Sequence, residues 1–362
     1  MRTKLLTLSL STSILALALA SPSVDAYTLN NPRGGNSTVL YLDPNVAVTM
    51  PDHYTKLQDA AVKLNANPSN MRFSLLLDND LVFAKNNGES EVSFSSDTTL
   101  LCGSRACAHN ISSGGVLIES DVYFDINHDW ATTDAKADSL AYDSSEGRPL
   151  INTAMHEFNH TIGMGHEDQY FQIMGNAWNV VNTNGSSTEL VISEDTANGL
   201  VAHYGLRPDV NEDLSLYHWE QVSASAGGYS QHGRLPLESA PGVLLQTTTP
   251  FDPNLDEPAY LASSGQTILV WQTAENRGTS QTVTIKWYLS GDANITTLDT
   301  QLASSSITLS RNTPYTWDRS VTLPNLVPGK RYWVGAIIDT ANVVAEQNEI
   351  NNAIYVAEIV GL

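Results

Sequence analysis

His156-Glu157-Phe158-Asn159-His160 places two imidazoles four residues apart with a carboxylate between them. On a helix, positions i and i+4 share a face, so both rings can reach one metal ion. Glu157 lies about 100° further round the helix, near enough to serve an attacking water without holding the metal itself. Neutral imidazoles suit Zn²⁺, and three protein ligands with one open position is the arrangement of a catalytic rather than a structural zinc. The third ligand is readable as well. Gly163 follows His160 by three residues, and His166 follows Gly163 by three. Glycine can take the left-handed conformation that turns a chain off a helix end, so His166 can swing back toward the metal. Gly165 adds freedom at the same place. The chemistry expected is metal-assisted hydrolysis, with Glu157 taking a proton from water and passing it to a leaving amine.

A helix must carry the first of these residues, and one is predicted to start near Pro149, a good first-turn residue. Ile151, Ala154, Met155, Phe158 and Ile162 recur there at helical spacing. Ahead of it, Thr38 to Asp43 reads as a strand stopped by Pro44, and Arg72 to Leu77 as a buried strand. Asp52 to Leu64 reads as a helix with Leu57, Ala60, Ala61 and Leu64 on its apolar stripe. Leu81 to Phe83 and Val92 to Phe94 are shorter strand candidates around a turn at Asn86-Asn87-Gly88, and Gly115 to Ile126 is the clearest strand. Ser193 caps a helix running to Tyr204, where Gly205 stops it. This order predicts an α+β or α/β sheet domain over residues 27–207. Residues 208–241 read as a linker or connecting region. From 242 to 362 the pattern is all-β: Thr267 to Gln272, Thr282 to Leu289, Ser320 to Leu323 and Arg331 to Ile338 are strands between turn residues, with Trp287, Tyr288, Trp317 and Trp333 as aromatic core. That spacing suggests a β-sandwich.

The 362 residues suffice for one to three domains. Hydrophobic residues make up 41% and charged residues 16%, which suits a folded chain with polar surfaces. A formal net charge of -21 disfavours nucleic acid and anionic lipid as partners. Arg2 and Lys4 precede the apolar stretch Leu5 to Ala20, and Ala18-Leu19-Ala20 and Val24-Asp25-Ala26 are candidate cleavage sites. This is the pattern of a secretory signal peptide over residues 1–26, with a retained membrane anchor as the alternative. No later run is apolar and long enough to span a bilayer. The chain has two cysteines, Cys102 and Cys107, which can close a small disulfide loop in an oxidising compartment. A metal site made of this pair with His109 is the competing use.

The string H-E-x-x-H-x-x-G-x-x-H over His156 to His166 is the metzincin signature. Residues 27–207 resemble that clan of zinc endopeptidases, and within it the matrixin-like branch. Tyr170-Phe171-Gln172-Ile173-Met174-Gly175 is similar to the family's Met-turn, which implies that Met174 packs beneath the metal site. Ile118 to Phe124 is similar to the strand before the catalytic helix, and Ser193 to Gly205 to the closing helix. The resemblance implies an α+β catalytic domain with a twisted mixed sheet, an active-site helix and a C-terminal helix. It also implies catalytic Zn²⁺ on His156, His160 and His166, with Glu157 as general base. Two departures stand out. Relatives with an extra Tyr two residues after the methionine have Asn176 as their counterpart here, and the usual Pro after the turn is absent. Trp178 is a candidate wall of the specificity pocket. No inhibitory pro-segment with a latency cysteine is read ahead of the domain.

Asp121, Asp125, Asp129 and Asp134 are candidate structural Ca²⁺ ligands, and His128 a candidate for a structural metal, against plainer surface use. Five Asn-x-Ser/Thr sites occur, and the one at Asn159 lies inside the zinc-binding helix. Glycosylation there is incompatible with the site, which points to a bacterial source. Residues 258–362 resemble CARDB modules, bacterial immunoglobulin-like domains, through Glu275 to Gly278, Ile285 to Ser290 and Tyr332 to Asn352. Glu346 and Glu349 are further Ca²⁺ candidates. The expectation is a secreted extracellular endopeptidase acting on protein or peptide, without nucleic acid or membrane insertion, whose C-terminal domain is a spacer or binds a surface or substrate. The alternatives are an extracellular adhesin or binding protein with a vestigial zinc domain, or a narrow-specificity amidase acting on cell-wall peptides.

Overall fold

The computed structural model describes residues 27–80, 83, 85–134, 148–167, 173–175, 181–209, 212–217, 219–223, 231–248, 259–311 and 315–362. The leader expected over residues 1–26, together with Asn176 and Trp178, lies outside them. No helix among the described residues is long and apolar enough to cross a membrane.

The first half is a five-stranded sheet with helices packed on it. Its strands are β1 (Ser37–Leu42), β2 (Arg72–Leu77), β3 (Glu91–Ser95), β4 (Ala106–Ser113) and β5 (Val116–Asp125), in the order β2-β1-β3-β5-β4. The first four neighbours run parallel, and β4 closes the edge antiparallel to β5, with Cys107 opposite Tyr123. Helix α1 (Pro44–Thr49) follows β1, and α2 (Pro51–Leu64) buries Leu57, Ala60, Ala61 and Leu64. These meet Leu40, Leu42, Val92 and Phe124 of the sheet and Ala154, Met155 and Phe158 of helix α3 (Leu150–His160) in one core. Two short pairs flank α3: β6 (Trp130–Ala131) with β7 (Arg148–Pro149), and the hairpin β8 (Val181–Asn184) with β9 (Ser187–Leu190). Helix α4 (Glu194–Tyr204) closes the half and ends at Gly205, whose φ is 73°.

The second half is two facing sheets. One joins β10 (Leu214–Tyr217), β13 (Leu237–Ala240), β14 (Val243–Leu244), β16 (Thr267–Asn276) and β19 (Tyr315–Thr322); β11 (Trp219–Ser223) and β12 (Gln231–Arg234) form a separate hairpin. The other has β15 (Ala259–Ala262), β17 (Gln281–Ser290), β18 (Thr300–Leu309), β20 (Arg331–Ile338) and β21 (Ala353–Gly361), ordered β15-β21-β20-β17-β18. Alternating inward residues such as Val283, Ile285, Trp287, Val334 and Ala336 fill the space between them. The fold is thus α+β with few helices and many strands. The stretch 208–241, expected as a connector, is more than a linker: Leu214–Tyr217 and Leu237–Ala240 both pair with β16.

The halves interlock through buried polar groups. The Glu194 N–H donates to Glu275 Oε2 at 2.9 Å, and the Asn276 N–H donates to Glu194 Oε2 at 3.0 Å. Arg277 is buried between Asp213 at 2.8 Å and Glu275 at 3.2 Å, and also donates to Ser215 and Tyr217. Burial pushes the Glu275 carboxyl up, against the pull of Arg277. Asn182 donates to the carbonyls of Leu216 and Asn351, and Asn184 exchanges two hydrogen bonds with Ile295. Buried polar groups are costly unless paired, so the two halves fix one another.

Removing the cation from this network leaves two buried carboxylates without it. Arg277→Ala is expected to lower unfolding free energy by about 3–5 kcal/mol, read by denaturant melts; a loss under about 1 kcal/mol would mean the network contributes no more than a surface pair. Nearby, Glu346 accepts from the Leu214 N–H at 2.6 Å and from Asn352 Nδ2 at 3.0 Å, yet burial pushes its carboxyl up to about 7. The folded state therefore keeps a proton that the unfolded chain releases near its ordinary value of about 4.3. The stabilisation is full below that value and is lost as pH rises through 7. Thermal melts should show Glu346→Gln gaining on the wild type between pH 4.5 and 7.5; a constant difference would refute the assignment.

Candidate metal centre

Helix α3 forms because apolar residues recur on one side of it: Leu150, Ile151, Ala154, Met155 and Phe158 are all buried. That packing turns the opposite side, with His156 and His160, toward the cleft under β4. After His160 the chain leaves the helix in one tight turn. Gly163 has φ 87°, and a Cβ there would run into the Asn31 carbonyl oxygen. At Gly165 a Cβ would meet Thr28 Cγ2 at 2.7 Å. Both glycines are required because an extended N-terminal segment straps the turn. Asn30 N–H donates to Gly163 O and Gly165 N–H to Thr28 O, each at 2.7 Å, around the Leu29–Met164 bridge. From the other side, Tyr204 of α4 donates its hydroxyl to Ile162 O at 2.6 Å and accepts from the Arg33 N–H at 2.8 Å.

So held, His166 joins the helix pair. The three Nε2 atoms of His156, His160 and His166 stand 3.1 Å from one another in every pairing. His156 Nδ1 faces the Ile173 carbonyl at 2.7 Å, and His160 Nδ1 the Met164 carbonyl at 2.8 Å. A carbonyl only accepts, so each Nδ1 carries the proton and each Nε2 presents a lone pair inward. Burial also holds these rings neutral: His156 falls well below its ordinary range, His160 to about 4, and His166 is lowered too. Three converging Nε2 atoms on neutral imidazoles, two of them oriented by backbone carbonyls, are what a zinc site needs. The donor set fits Zn²⁺.

Glu157 lies beside them, 7% exposed. Burial pushes its carboxyl up to about 7, while the Ala108 N–H and the charge of Arg148 pull it back. Met174 is fully buried in the core, and its carbonyl accepts from the Glu167 N–H at 3.2 Å. The cleft has a volume of about 430 Å³; Cys107, Ala108, Asn110, Arg148, Thr153 and Glu157 are among its lining residues. Cys102 and Cys107 are joined in a disulfide at its rim. This settles their use against metal binding with His109, whose Nε2 lies 2.7 Å from the Leu100 carbonyl.

Three residues of the site were absent from the sequence reading. Asn110 donates to the His160 carbonyl at 3.0 Å, tying β4 to the end of α3. Ala108 supplies the N–H to Glu157, and Arg148 lines the cleft. Strand β4 reads ACAHNISS, a polar edge strand with no apolar alternation to reveal it. The Ca²⁺ expectation for Asp121, Asp125, Asp129 and Asp134 is not supported. These residues do not come together among the described residues: Asp134 pairs with Lys56 at 2.8 Å, and Asp121 Oδ1 accepts from the Glu91 N–H. Glu346 and Glu349 share the Asn352 amide instead of forming a cluster of three donors. His128 packs edge-on against Trp130 at 4.6 Å and belongs to no cluster of three donors among the described residues. The acidic trio that does gather, Asp78, Glu89 and Glu91, had not been singled out.

Residues 55–205 match the family model of Matrixin, a peptidase family. The match supports a zinc metallopeptidase in general for this part of the chain. Among solved structures, the chain is similar to the CARDB domain of a Pyrococcus furiosus protein in complex with di-metal ions, with 15% identity, 28% of this chain and 79% of that one covered, and a TM-score of 0.23. A solution NMR structure of that domain gives 17% identity over 30% of this chain and 89% of that one, also at a TM-score of 0.23. No curated protein matches the chain.

The turn itself is open to test. Gly163→Ala combines a left-handed backbone with a clash at Asn31 O, worth about 1–3 kcal/mol of strain. It is expected to lower both the melting temperature and the zinc bound per chain by elemental analysis; full zinc content with an unchanged melt would remove the turn from the account.

Proposed function

We propose that the chain is a secreted zinc-dependent endopeptidase in which His156, His160 and His166 hold the metal and Glu157 is the general base. The observation that carries the reading is the convergence of three Nε2 atoms, 3.1 Å apart, with a buried carboxylate alongside. Zn²⁺ held there would supply Lewis-acid polarisation of the scissile carbonyl and a lowered pKa for water. Glu157 then takes the proton from the attacking water and passes it to the leaving amine. The Ala108 N–H holds that carboxylate at the cleft wall. The carbonyls of Ile173 and Met164 fix two of the rings in the tautomer that leaves Nε2 free. Met174, in this reading, packs beneath the site as the Met-turn residue. The edge strand β4 offers backbone groups on which an extended peptide can pair.

Export through a leader over residues 1–26 is part of the proposal, and the disulfide Cys102–Cys107 supports it, because such bonds persist in oxidising compartments. A protein or peptide is the substrate class that the peptidase match favours.

Glu157→Ala is expected to keep bound zinc and to lose casein hydrolysis by about 10²–10⁴-fold. A chelator should silence the wild type and Zn²⁺ should restore it. Full activity of Glu157→Ala would sink the mechanism. A zinc-loaded wild type inert on casein but active on cell-wall peptides would favour the amidase reading, and one inert on both the adhesin.

A further inference from the structure

The cleft that holds Glu157 also carries a cation, whose one part in the reaction above is to favour the ionised Glu157 carboxylate. Arg148 lines the cleft together with Thr153 and Glu157, and it is the one Lys or Arg among the described residues there. The chain has 18 Lys and Arg against 39 Asp and Glu, so a cation in the cleft opposes the sign of the whole molecule. Its backbone is fixed: the Arg148 N–H donates to the Asp129 carbonyl at 3.1 Å, Arg148 pairs with Trp130, and Pro149 beside it opens α3. The charge is close enough to act on Glu157, His156 and His128.

Which half of a substrate meets it follows from the proton's path. Glu157 must reach the leaving amine, so the peptide on the leaving side lies along Glu157's end of the cleft. Thr153 stands four residues before Glu157, one helical turn back on the same face, and Arg148 lies just ahead of the helix. Arg148, Thr153 and Glu157 line one cleft, so a side chain that enters past Glu157 along this face comes up against Arg148. Arginine's planar fork matches a carboxylate by two parallel hydrogen bonds.

Resting on the peptidase reading above, we propose that Arg148 sets specificity for peptides with Asp or Glu immediately after the scissile bond. An acidic side chain there gains a charge-assisted contact in a partly desolvated cleft. A neutral one gains less, and a basic one meets like charge.

The test uses the full-length zinc-loaded protein and matched peptides that differ only in Glu, Gln or Lys after the scissile bond. The wild type should show kcat/KM higher for Glu than for Gln by about tenfold or more, with Lys lowest. Arg148→Gln should bring the Glu-to-Gln ratio near one, and Arg148→Glu should move the preference to Lys. An unchanged ratio in Arg148→Gln, with every peptide slowed alike, would overturn the proposal and leave Arg148 a positioning residue for Glu157. Cleavage by the wild type with no charge preference would overturn it and spare the peptidase reading; cleavage of no peptide would overturn both. If Arg148→Gln does not fold, the wild-type ratio in rising salt decides, since a charge-based preference shrinks with screening and a shape-based one does not.

Discussion

Three imidazole lone pairs brought within 3.1 Å of one another repel, and nothing in their own chemistry holds them there. The surroundings impose the arrangement. The Ile173 and Met164 carbonyls take the far nitrogens of two rings, the glycine turn returns the third ring, and the N-terminal strap keeps the turn from opening. Burial makes the charged form of each ring unfavourable, so proton uptake is a poor escape from the repulsion. A divalent cation removes the conflict, which is why metal binding and local folding are one free-energy change at such a site. Much of the first half can be understood as what it takes to keep these three atoms in place.

Helix α3 was legible because its signal is local. Apolar residues at helical spacing and the glycine between His160 and His166 report on backbone conformation within a few residues, and the structure has both the helix and the turn at Gly163. Strand β5 and helix α2 were legible for the same reason. What the sequence concealed lies at edges and interfaces. Strand β4 is the edge of its sheet, so its ACAHNISS carries no apolar alternation, and β18, TQLASSSITL, is an edge strand of the same kind. The contacts of Asn110 and Ala108 to α3 are long-range and depend on where β4 lands, which no spacing rule gives.

The connector illustrates a second kind of blindness. Residues 208–241 look irregular, yet Leu214 to Tyr217 are wholly buried and pair with the last residues of β16. A strand this short has too few residues to establish a period. Its place is fixed by buried charges: Asp213 belongs to the network around Arg277, and Glu346 accepts from the Leu214 N–H. The acidic composition concealed this, because carboxylates are usually solvated and the sequence does not distinguish those that are not. The same composition suggested calcium at Asp121 to Asp134, where the structure instead spends these groups on backbone amides and on Lys56.

Helix α4 joins these two themes. At its start, the Glu194 backbone and side chain both bond to β16 of the sandwich, through Glu275 and Asn276. At its end, His203 faces the Gly163 carbonyl at 3.3 Å and Tyr204 donates to Ile162, on the turn that delivers His166. Between them Gly199 allows close approach, since a Cβ there would clash with Met164 and crowd Tyr27. A helix is stiff along its axis, so displacement at one end is carried to the other rather than absorbed. The sandwich is therefore mechanically continuous with His166, and the Arg277 network steadies the cleft although it touches none of the cleft's atoms. A second domain joined only by a flexible linker would leave α4 anchored at one end. Anchored at both, it backs the glycine-hinged turn, whose Ile162 and Met164 are themselves packed into the core of the first half.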